Sequence, residues 1–220
     1  GELHKAVKHA SIYGETYLRR YILTKKEKGF REVGPGVVEI VQNTNRIPAF
    51  KHIGVWSVYR DLDVDDPMDG HGCMVVDRCS PRDLLDLVDE PFYDEKAIKA
   101  VVSKCREKLV DNEATEPRRR DLSHHQKNIR RISYEGLVPR RLAAELVRKL
   151  ESYEGEGNLY NPEEHDEGDM IECHLVKAGD EVIKFVETER EDRTLSRLVW
   201  EDPVDDVGGL GVCDNLNDIQ

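Results

Sequence analysis

The sequence predicts an α+β fold in which mixed strands are combined with several amphipathic helices. Residues 94–109 place apolar side chains at every third or fourth position, which is typical of a helix with one buried face. Residues 17–23 alternate instead with a period of two, which indicates a strand. Glycine and proline separate such segments. At 220 residues the chain can form one or two domains with a substantial core.

The first quarter of the chain predicts one helix followed by short strands. The helix covers residues 3–13 and is ended by Gly14. A strand at residues 17–23 then leads into a turn at residues 25–29, and a second turn is expected at residues 33–36. Two further strands are expected at residues 37–42 and 53–59, separated by the Ile47–Pro48 step.

Residues 60–72 form a predicted loop that holds five aspartates. Its opening resembles a calcium-binding loop, but Asp66 stands where the sharp turn requires glycine, and Gly72 stands where a bidentate glutamate belongs. A solvated acidic loop is therefore the favoured interpretation. His71 lacks further ligands at zinc spacing and is expected to be a surface histidine.

The middle of the chain carries the strongest local signals. A strand at residues 73–79 is followed by Ser80 as N-cap, Pro81 at the first helical position and Asp83 near the free amides of the first turn. Asp94 is the expected N-cap of the next helix. Cys73 and Cys79 are six apart, and a disulfide between them is possible but not favoured.

Residues 117–131 form a basic segment with six Lys/Arg side chains against one acid. One interpretation is a solvated loop or a frayed helix. The other is a contact with an acidic partner or with nucleic acid. The residues that would make this contact are Arg118, Arg119, Arg120, Lys127, Arg130 and Arg131.

The last third predicts a strand, a helix and a hairpin. Residues 132–137 form a short strand, and Pro139 begins a helix that continues to Leu150. The side chains expected to face inward are Leu142, Ala143, Leu146, Val147 and Leu150. Residues 151–169 are an acidic, exposed loop, residues 170–187 form a hairpin around Gly179 and Asp180, and residues 195–200 form the last strand.

The composition argues against several classes of function. The net charge of −12 disfavours a surface that coats DNA, because such binding neutralises phosphates with Lys and Arg. No apolar run approaches the length of a membrane span, and the five cysteines include no metal-binding pair spacing. No nucleophile motif, Walker loop or dinucleotide fingerprint occurs, so we expect no catalytic residues, no cofactor and no metal.

The final twenty-one residues run from an apolar strand into a glycine-rich turn and the beginning of a helix. Gly208, Gly209 and Gly211 supply the backbone freedom for a sharp change of direction. Leu216 and Ile219 lie three apart on one face of the helix that follows. We therefore expect this sequence to be part of a longer protein.

Four segments in this order resemble the portal proteins of tailed bacteriophages, in particular the short-tailed-phage (podovirus) type. They are residues 4–14, a helix ended by glycine; residues 53–69, with Trp56 and the aspartates; residues 80–87, the capped helix; and Trp200 to Asp202 with residues 208–220. Each motif is weak alone, and the four together span nearly the whole chain.

The resemblance implies a structural subunit that is not an enzyme. Such subunits form a homo-oligomeric ring, typically a dodecamer, at one vertex of the capsid. The ring is the channel for packaging and ejecting double-stranded DNA. It contacts the terminase, the head–tail adaptors and the scaffolding proteins, in the virion and, during assembly, in the host cytoplasm. No membrane is involved.

The resemblance also implies a division of the chain. Residues 1–136 would be a wing-like α+β region, residues 137–200 a helix plus β-hairpin region of wing or clip type, and residues 201–220 the turn into a stem helix. Gly208, Gly211 and Gln220 would mark the entrance to that helix.

Two other functions remain open from the residues alone. The first is a metal-dependent phosphoryl-transfer enzyme in which the carboxylates of Asp61, Asp63, Asp65, Asp66 and Asp69 hold magnesium. The second is an adaptor module that binds a protein partner through its acidic loops.

Overall fold

The computed structural model describes residues 1–34, 37–61, 63–112, 129–150, 166 and 168–201. The α+β fold class predicted from the sequence is confirmed, since helices and strands are mixed along the chain. The described residues form two compact units, Gly1–Val55 with Thr194–Gln220, and Trp56–Arg193.

The first unit is built on a three-stranded antiparallel sheet with the order β2-β1-β8. Its elements are α1 (Glu2–Tyr13), β1 (Glu15–Gly34), β2 (Val37–Ile53) and β8 (Leu195–Val199). Gly14 ends α1 with a φ of 80°, a conformation that favours glycine, and the chain turns there directly into β1. Ala6 and Ala10 are buried, one helical turn apart, on the packed face of α1.

β1 and β2 form an antiparallel hairpin that is much longer than its third strand. The pairing runs from Tyr17 opposite Ile53 to Gly34 opposite Val37. β8 pairs with β1 only from Glu15 to Arg19. Residues 20–34 and 37–50 therefore form a two-stranded segment, which we call the ribbon.

The second unit is built on a five-stranded antiparallel sheet with the order β3-β4-β5-β6-β7. The strands are β3 (Val58–Arg60), β4 (Gly72–Cys79), β5 (Ile129–Pro139), β6 (Met170–Ala178) and β7 (Glu181–Glu187). The helices are α2 (Pro81–Leu85), α3 (Glu95–Asn112) and α4 (Arg140–Lys149). Gly179, with a φ of 57°, makes the tight turn between β6 and β7.

Two apolar clusters form the core of this unit. The first contains Leu84 of α2 and Ile98 of α3, which pack with Ile183 of β7. The second contains Leu146 of α4, which packs with Phe185 of β7. Along β6, Ile171 and Cys173 belong to the second cluster, whereas Val176 and Ala178 belong to the first. Because neighbouring residues of a strand point to opposite faces, this strand supplies both clusters.

The predicted helix starts are confirmed in detail. The Ser80 hydroxyl accepts a hydrogen bond from the Asp83 amide at 3.2 Å, and the Asp83 carboxylate accepts one from the Ser80 amide at 2.9 Å. This reciprocal pair is a capping box. The Asp94 carboxylate likewise accepts from the Ala97 amide at 2.9 Å, at the start of α3.

Several predictions in the first sixty residues are wrong. The turn at residues 25–29 and the break at Ile47–Pro48 do not exist, because β1 and β2 continue through both places. β2 is an edge strand, where the missing N–H of Pro48 is tolerated. The strand predicted at residues 53–59 is instead the end of β2, a 3₁₀ turn at Val55–Ser57 and the short β3.

Two further outcomes concern the last third of the chain. Leu142, expected to face inward, is 44% exposed, because the buried face of α4 follows Ala143 and Leu146. The division expected after residue 136 falls inside β5, at the centre of the five-stranded sheet, whereas the compact units divide near residues 55 and 193. Most of the acidic segment at residues 151–169 lies outside the described residues.

Candidate functional site

The aspartate-rich loop between β3 and β4 is held in place by one buried arginine. The side chain of Arg193 is 1% exposed and forms an ion pair with Glu172, from its Nε to Glu172 Oε1 at 2.7 Å. A second bond, to Glu172 Oε2 at 2.9 Å, makes the pair bidentate. The guanidinium also donates to the carbonyls of Pro67, Met68, Gly70 and His71, at 2.7–3.3 Å.

The electrostatics of Arg193 fit this position. Burial by itself disfavours the charged form, but the hydrogen bonds to Glu172 together with the attraction of nearby negative charge outweigh it and raise the pKa of Arg193. The side chain is therefore charged at neutral pH. Only arginine has five donors in a planar fork, so one side chain can bind a carboxylate and several carbonyls at once.

Two more arginines bind the same loop through its backbone. Arg190 donates to the carbonyls of Asp69 and Gly70, at 3.0 and 3.2 Å. Arg60 donates to the carbonyl of Asp61, at 3.2 Å, and to that of Val64. The loop is thus fixed by cations that contact its carbonyls.

Two of the five aspartates have local structural roles. The Asp61 carboxylate lies 3.0 Å from Nδ1 of His71 and accepts the Asp63 amide at 3.2 Å. The hydrogen bond from His71 is the main cause that lowers the pKa of Asp61. The Asp66 carboxylate accepts the Met68 amide at 2.9 Å and closes a turn.

The carboxylates of this loop do not converge on one point. Within the described part of the chain, no three His, Cys, Asp or Glu side chains are grouped so that they could hold a metal ion. His71, predicted as a surface histidine, has a side chain that is 85% exposed and contacts Asp61. The geometry of the loop is that of an ordered structural turn.

A close approach of two glycines supports the C-terminal end of the loop. Gly72 of β4 lies opposite Gly136 of β5. A Cβ on Gly136 would lie 2.4 Å from the Gly72 Cα and 2.5 Å from the His71 carbonyl oxygen. The Tyr134 hydroxyl donates to the Leu137 carbonyl at 2.8 Å beside this contact, and burial raises its pKa to about 12.

The basic segment predicted as a contact surface is described only at its end. Arg130 is exposed at the start of β5. Arg131 instead forms a two-point ion pair with Asp77, with Nε to Oδ1 at 2.9 Å and Nη2 to Oδ2 at 2.5 Å. Burial opposes the charge of Arg131, but Asp77 outweighs it and raises the pKa. Arg131 is thus used in a contact within the chain.

The remaining predicted contacts lie outside the described residues. They are Arg118, Arg119, Arg120 and Lys127 of the basic segment, and Gly208, Gly211 and Gln220 of the expected stem-helix entrance.

The structure brings together a serine and a histidine that sequence reasoning did not connect. Oγ of Ser133 lies 3.1 Å from Nε2 of His174 on the neighbouring strand, and Glu135 lies opposite His174. Ser133 and Glu135 are buried in a strand that is paired on both sides. The backbone amides around Ser133 are therefore used in the sheet and cannot stabilise an oxyanion. We interpret the contact as a buried polar network.

The buried cysteines are poor nucleophiles. Burial raises the pKa of the Cys79 thiol to about 11 and that of the Cys173 thiol to about 12, so both are protonated at neutral pH. Cys73, Cys79, Cys105 and Cys173 are free thiols.

A second polar cluster lies in the first unit, where α1 packs on the sheet. The rings of His9 and His52 are 4.3 Å apart, centroid to centroid, and the Glu2 carboxylate accepts the His52 amide at 3.0 Å. The Thr16 hydroxyl donates to the Ile53 carbonyl and lies 2.9 Å from Nε2 of His52. Burial is the main cause that lowers the pKa of His52, followed by repulsion from His9.

Comparison with known proteins adds no family. No protein-family model matches the chain, and no curated protein matches it. Of the helices that the structure describes, none is both long and apolar enough to cross a membrane.

Proposed function

We propose that this chain is a structural subunit of a bacteriophage portal ring, the channel through which double-stranded DNA is packaged and ejected. The observation that carries the proposal is the order of the four sequence segments that resemble that family. In the described residues, two of these segments have the local form that the resemblance implies: α1 ends at Gly14 before a strand, and Ser80 caps a short helix.

The electrostatics support a channel component more than a DNA-coating protein. The chain carries 45 Asp/Glu against 33 Lys/Arg. Strong attraction to many phosphates would hold a duplex in place, whereas a predominantly acidic wall lets it slide. Partners of such a ring would be further copies of the subunit, the terminase, the adaptors and the scaffolding proteins.

The metal-dependent enzyme is less well supported than the portal subunit. In the loop that would hold magnesium, the carboxylates of Asp61 and Asp66 accept hydrogen bonds from the loop itself. Two-metal phosphoryl transfer needs carboxylates that converge on ions about 4 Å apart. The third candidate, a protein-binding adaptor, is compatible with the apolar side chains that the ribbon exposes, such as Phe30 and Ile40.

The direct test is electron microscopy of the full-length protein. We expect closed rings in negative-stain images. A second test replaces Arg118, Arg119 and Arg120 with glutamine, which we expect to weaken terminase-dependent packaging while the protein stays folded.

Three results would count against the proposal or part of it. A full-length protein that stays monomeric under all assembly conditions contradicts the ring. Unchanged packaging and assembly in the arginine variant contradicts only the role of the basic segment. A large divalent-metal-dependent rise in melting temperature would favour the enzyme instead.

A further inference from the structure

The ribbon exposes an unusual amount of apolar surface. Among the ribbon side chains that the structure describes, seven large apolar ones are exposed: Tyr21, Ile22, Leu23, Phe30, Ile40, Ile47 and Phe50. Phe30 and Ile40 are the most open of these, at 77% and 64%, and they lie directly opposite each other on the two strands. A cross-strand apolar pair that stays in water adds little to stability, because most of its surface remains hydrated. The same pair packed against a protein surface is removed from solvent, which is favourable.

The exposed side chains occur on both sides of the ribbon. Because successive residues of a strand point to opposite sides, Ile22 and Phe30 lie on one side and Tyr21 and Leu23 on the other. Contiguous exposed apolar patches on soluble proteins mark interaction sites. An isolated two-stranded hairpin is also only marginally stable in water, so a long ribbon gains from a covering partner.

The charge of the ribbon is opposite to that of the rest of the chain. Residues 20–50 hold six of the 33 Lys/Arg and three of the 45 Asp/Glu, a net charge of +3. The remaining residues hold the other 27 and 42, a net charge of −15. The ribbon of one copy is thus electrostatically complementary to the remainder of a second copy.

We propose that the ribbon is an arm that docks on a second copy of this chain. The apolar side chains favour a protein surface over a phosphate backbone, because a phosphate backbone would leave Phe30 and Ile40 in water. The opposite charges of the two surfaces favour a second copy over a basic or neutral partner. Such a contact is heterologous, because the arm and its acceptor are different surfaces of the chain. The inference goes beyond the portal proposal, since it names the segment through which two copies meet.

The test measures self-association of the 220-residue chain by sedimentation equilibrium. The variant replaces both Phe30 and Ile40 with serine, and the control replaces Leu142, an exposed apolar residue of the other unit, with serine. We expect the unmodified chain and the control to associate equally, and the double variant to associate at least about tenfold more weakly. Added salt should weaken the association of the unmodified chain.

A charge variant keeps the test informative if the serine variant unfolds. Lys25→Glu with Arg46→Glu makes the ribbon acidic without touching its apolar side chains, and both positions are exposed. We expect this variant to remain monomeric at concentrations where the unmodified chain associates, with an unchanged circular dichroism spectrum.

Photocrosslinking identifies what the arm contacts. A photoreactive phenylalanine at position 30, in a mixture of isotope-labelled and unlabelled chains to which duplex DNA is added, should yield crosslinks between copies, while the same group at position 142 should not. Three results would overturn the proposal: an unmodified chain that is monomeric throughout, equal association of the unmodified chain and both ribbon variants, or crosslinking to the DNA in place of a second copy. None of these would decide whether the full-length protein forms rings.

Discussion

Replacing Arg193 with methionine should be among the most destabilising single changes in the second unit. Methionine fills a similar volume but leaves the largely buried Glu172 carboxylate without its cation. Breaking a buried ion pair from one side costs about 3–5 kcal/mol, because the remaining charge is uncompensated. The loop carbonyls of Pro67 and Met68 also lose their donor, and the Gly70 carbonyl keeps only its hydrogen bond from Arg190. Against a typical free energy of unfolding of about 5–15 kcal/mol, this is a large fraction.

A second variant separates the ion pair from the loop contacts. In Arg193→Met combined with Glu172→Met, no charge is left unpaired, so the loss should fall to the cost of the loop hydrogen bonds, about 1–3 kcal/mol. The control is Arg190→Met, which removes two backbone contacts of an exposed arginine and should cost about 1 kcal/mol.

The assay is urea unfolding followed by circular dichroism, together with limited proteolysis of the loop at residues 61–71. We expect the single Arg193 variant to have the lowest midpoint and the fastest cleavage. The reasoning is refuted if Arg193→Met costs no more than Arg190→Met and leaves the loop equally resistant to protease.

Three further predictions concern stability. Gly136→Ala should lower the free energy of unfolding in urea by about 2 kcal/mol or more, because its Cβ would meet the backbone of the opposite strand. The control Gly54→Ala, whose Cβ meets nothing within 4 Å, should change stability by less than about 0.5 kcal/mol. Equal effects of the two variants would contradict the close-approach argument. Ser80→Ala should cost about 1 kcal/mol through loss of the N-cap, measured as a lower midpoint, and an unchanged midpoint would deny the capping box a stabilising role. His52 has a lowered pKa in the folded state, so its contribution to the free energy of unfolding is present above the ordinary value of 6.5 and is lost as the pH falls through the folded-state pKa. The His52→Gln variant should therefore lose less stability than the unmodified chain between pH 7.5 and 5.5. Parallel losses in the two proteins would exclude His52 as a cause of the pH dependence.

Local signals were read correctly from the sequence because they depend on a few neighbouring residues. The capping box at Ser80, the helix end at Gly14 and the turn at Gly179 each have their partners within about four positions. The extent of the long hairpin could not be read in this way. Gly29 and Pro48 look like breaks in isolation, but pairing with the opposite strand carries the backbone through both.

The buried arginine site illustrates what the sequence alone does not contain. Arg193 lies in a charged connector with no periodic pattern, and its loop partners are more than 120 positions away. The pair of Ser133 and His174 is likewise 41 positions apart. Contacts of this kind depend on the register of the sheet, which single-sequence patterns do not specify.

The central claim is that this chain is a subunit of a ring, and the most direct measurement is the solution mass of the full-length protein, by light scattering. The account predicts a single large species of ring mass. If the full-length protein remains monomeric at every concentration and ionic strength, the account of this protein as an assembly subunit is wrong.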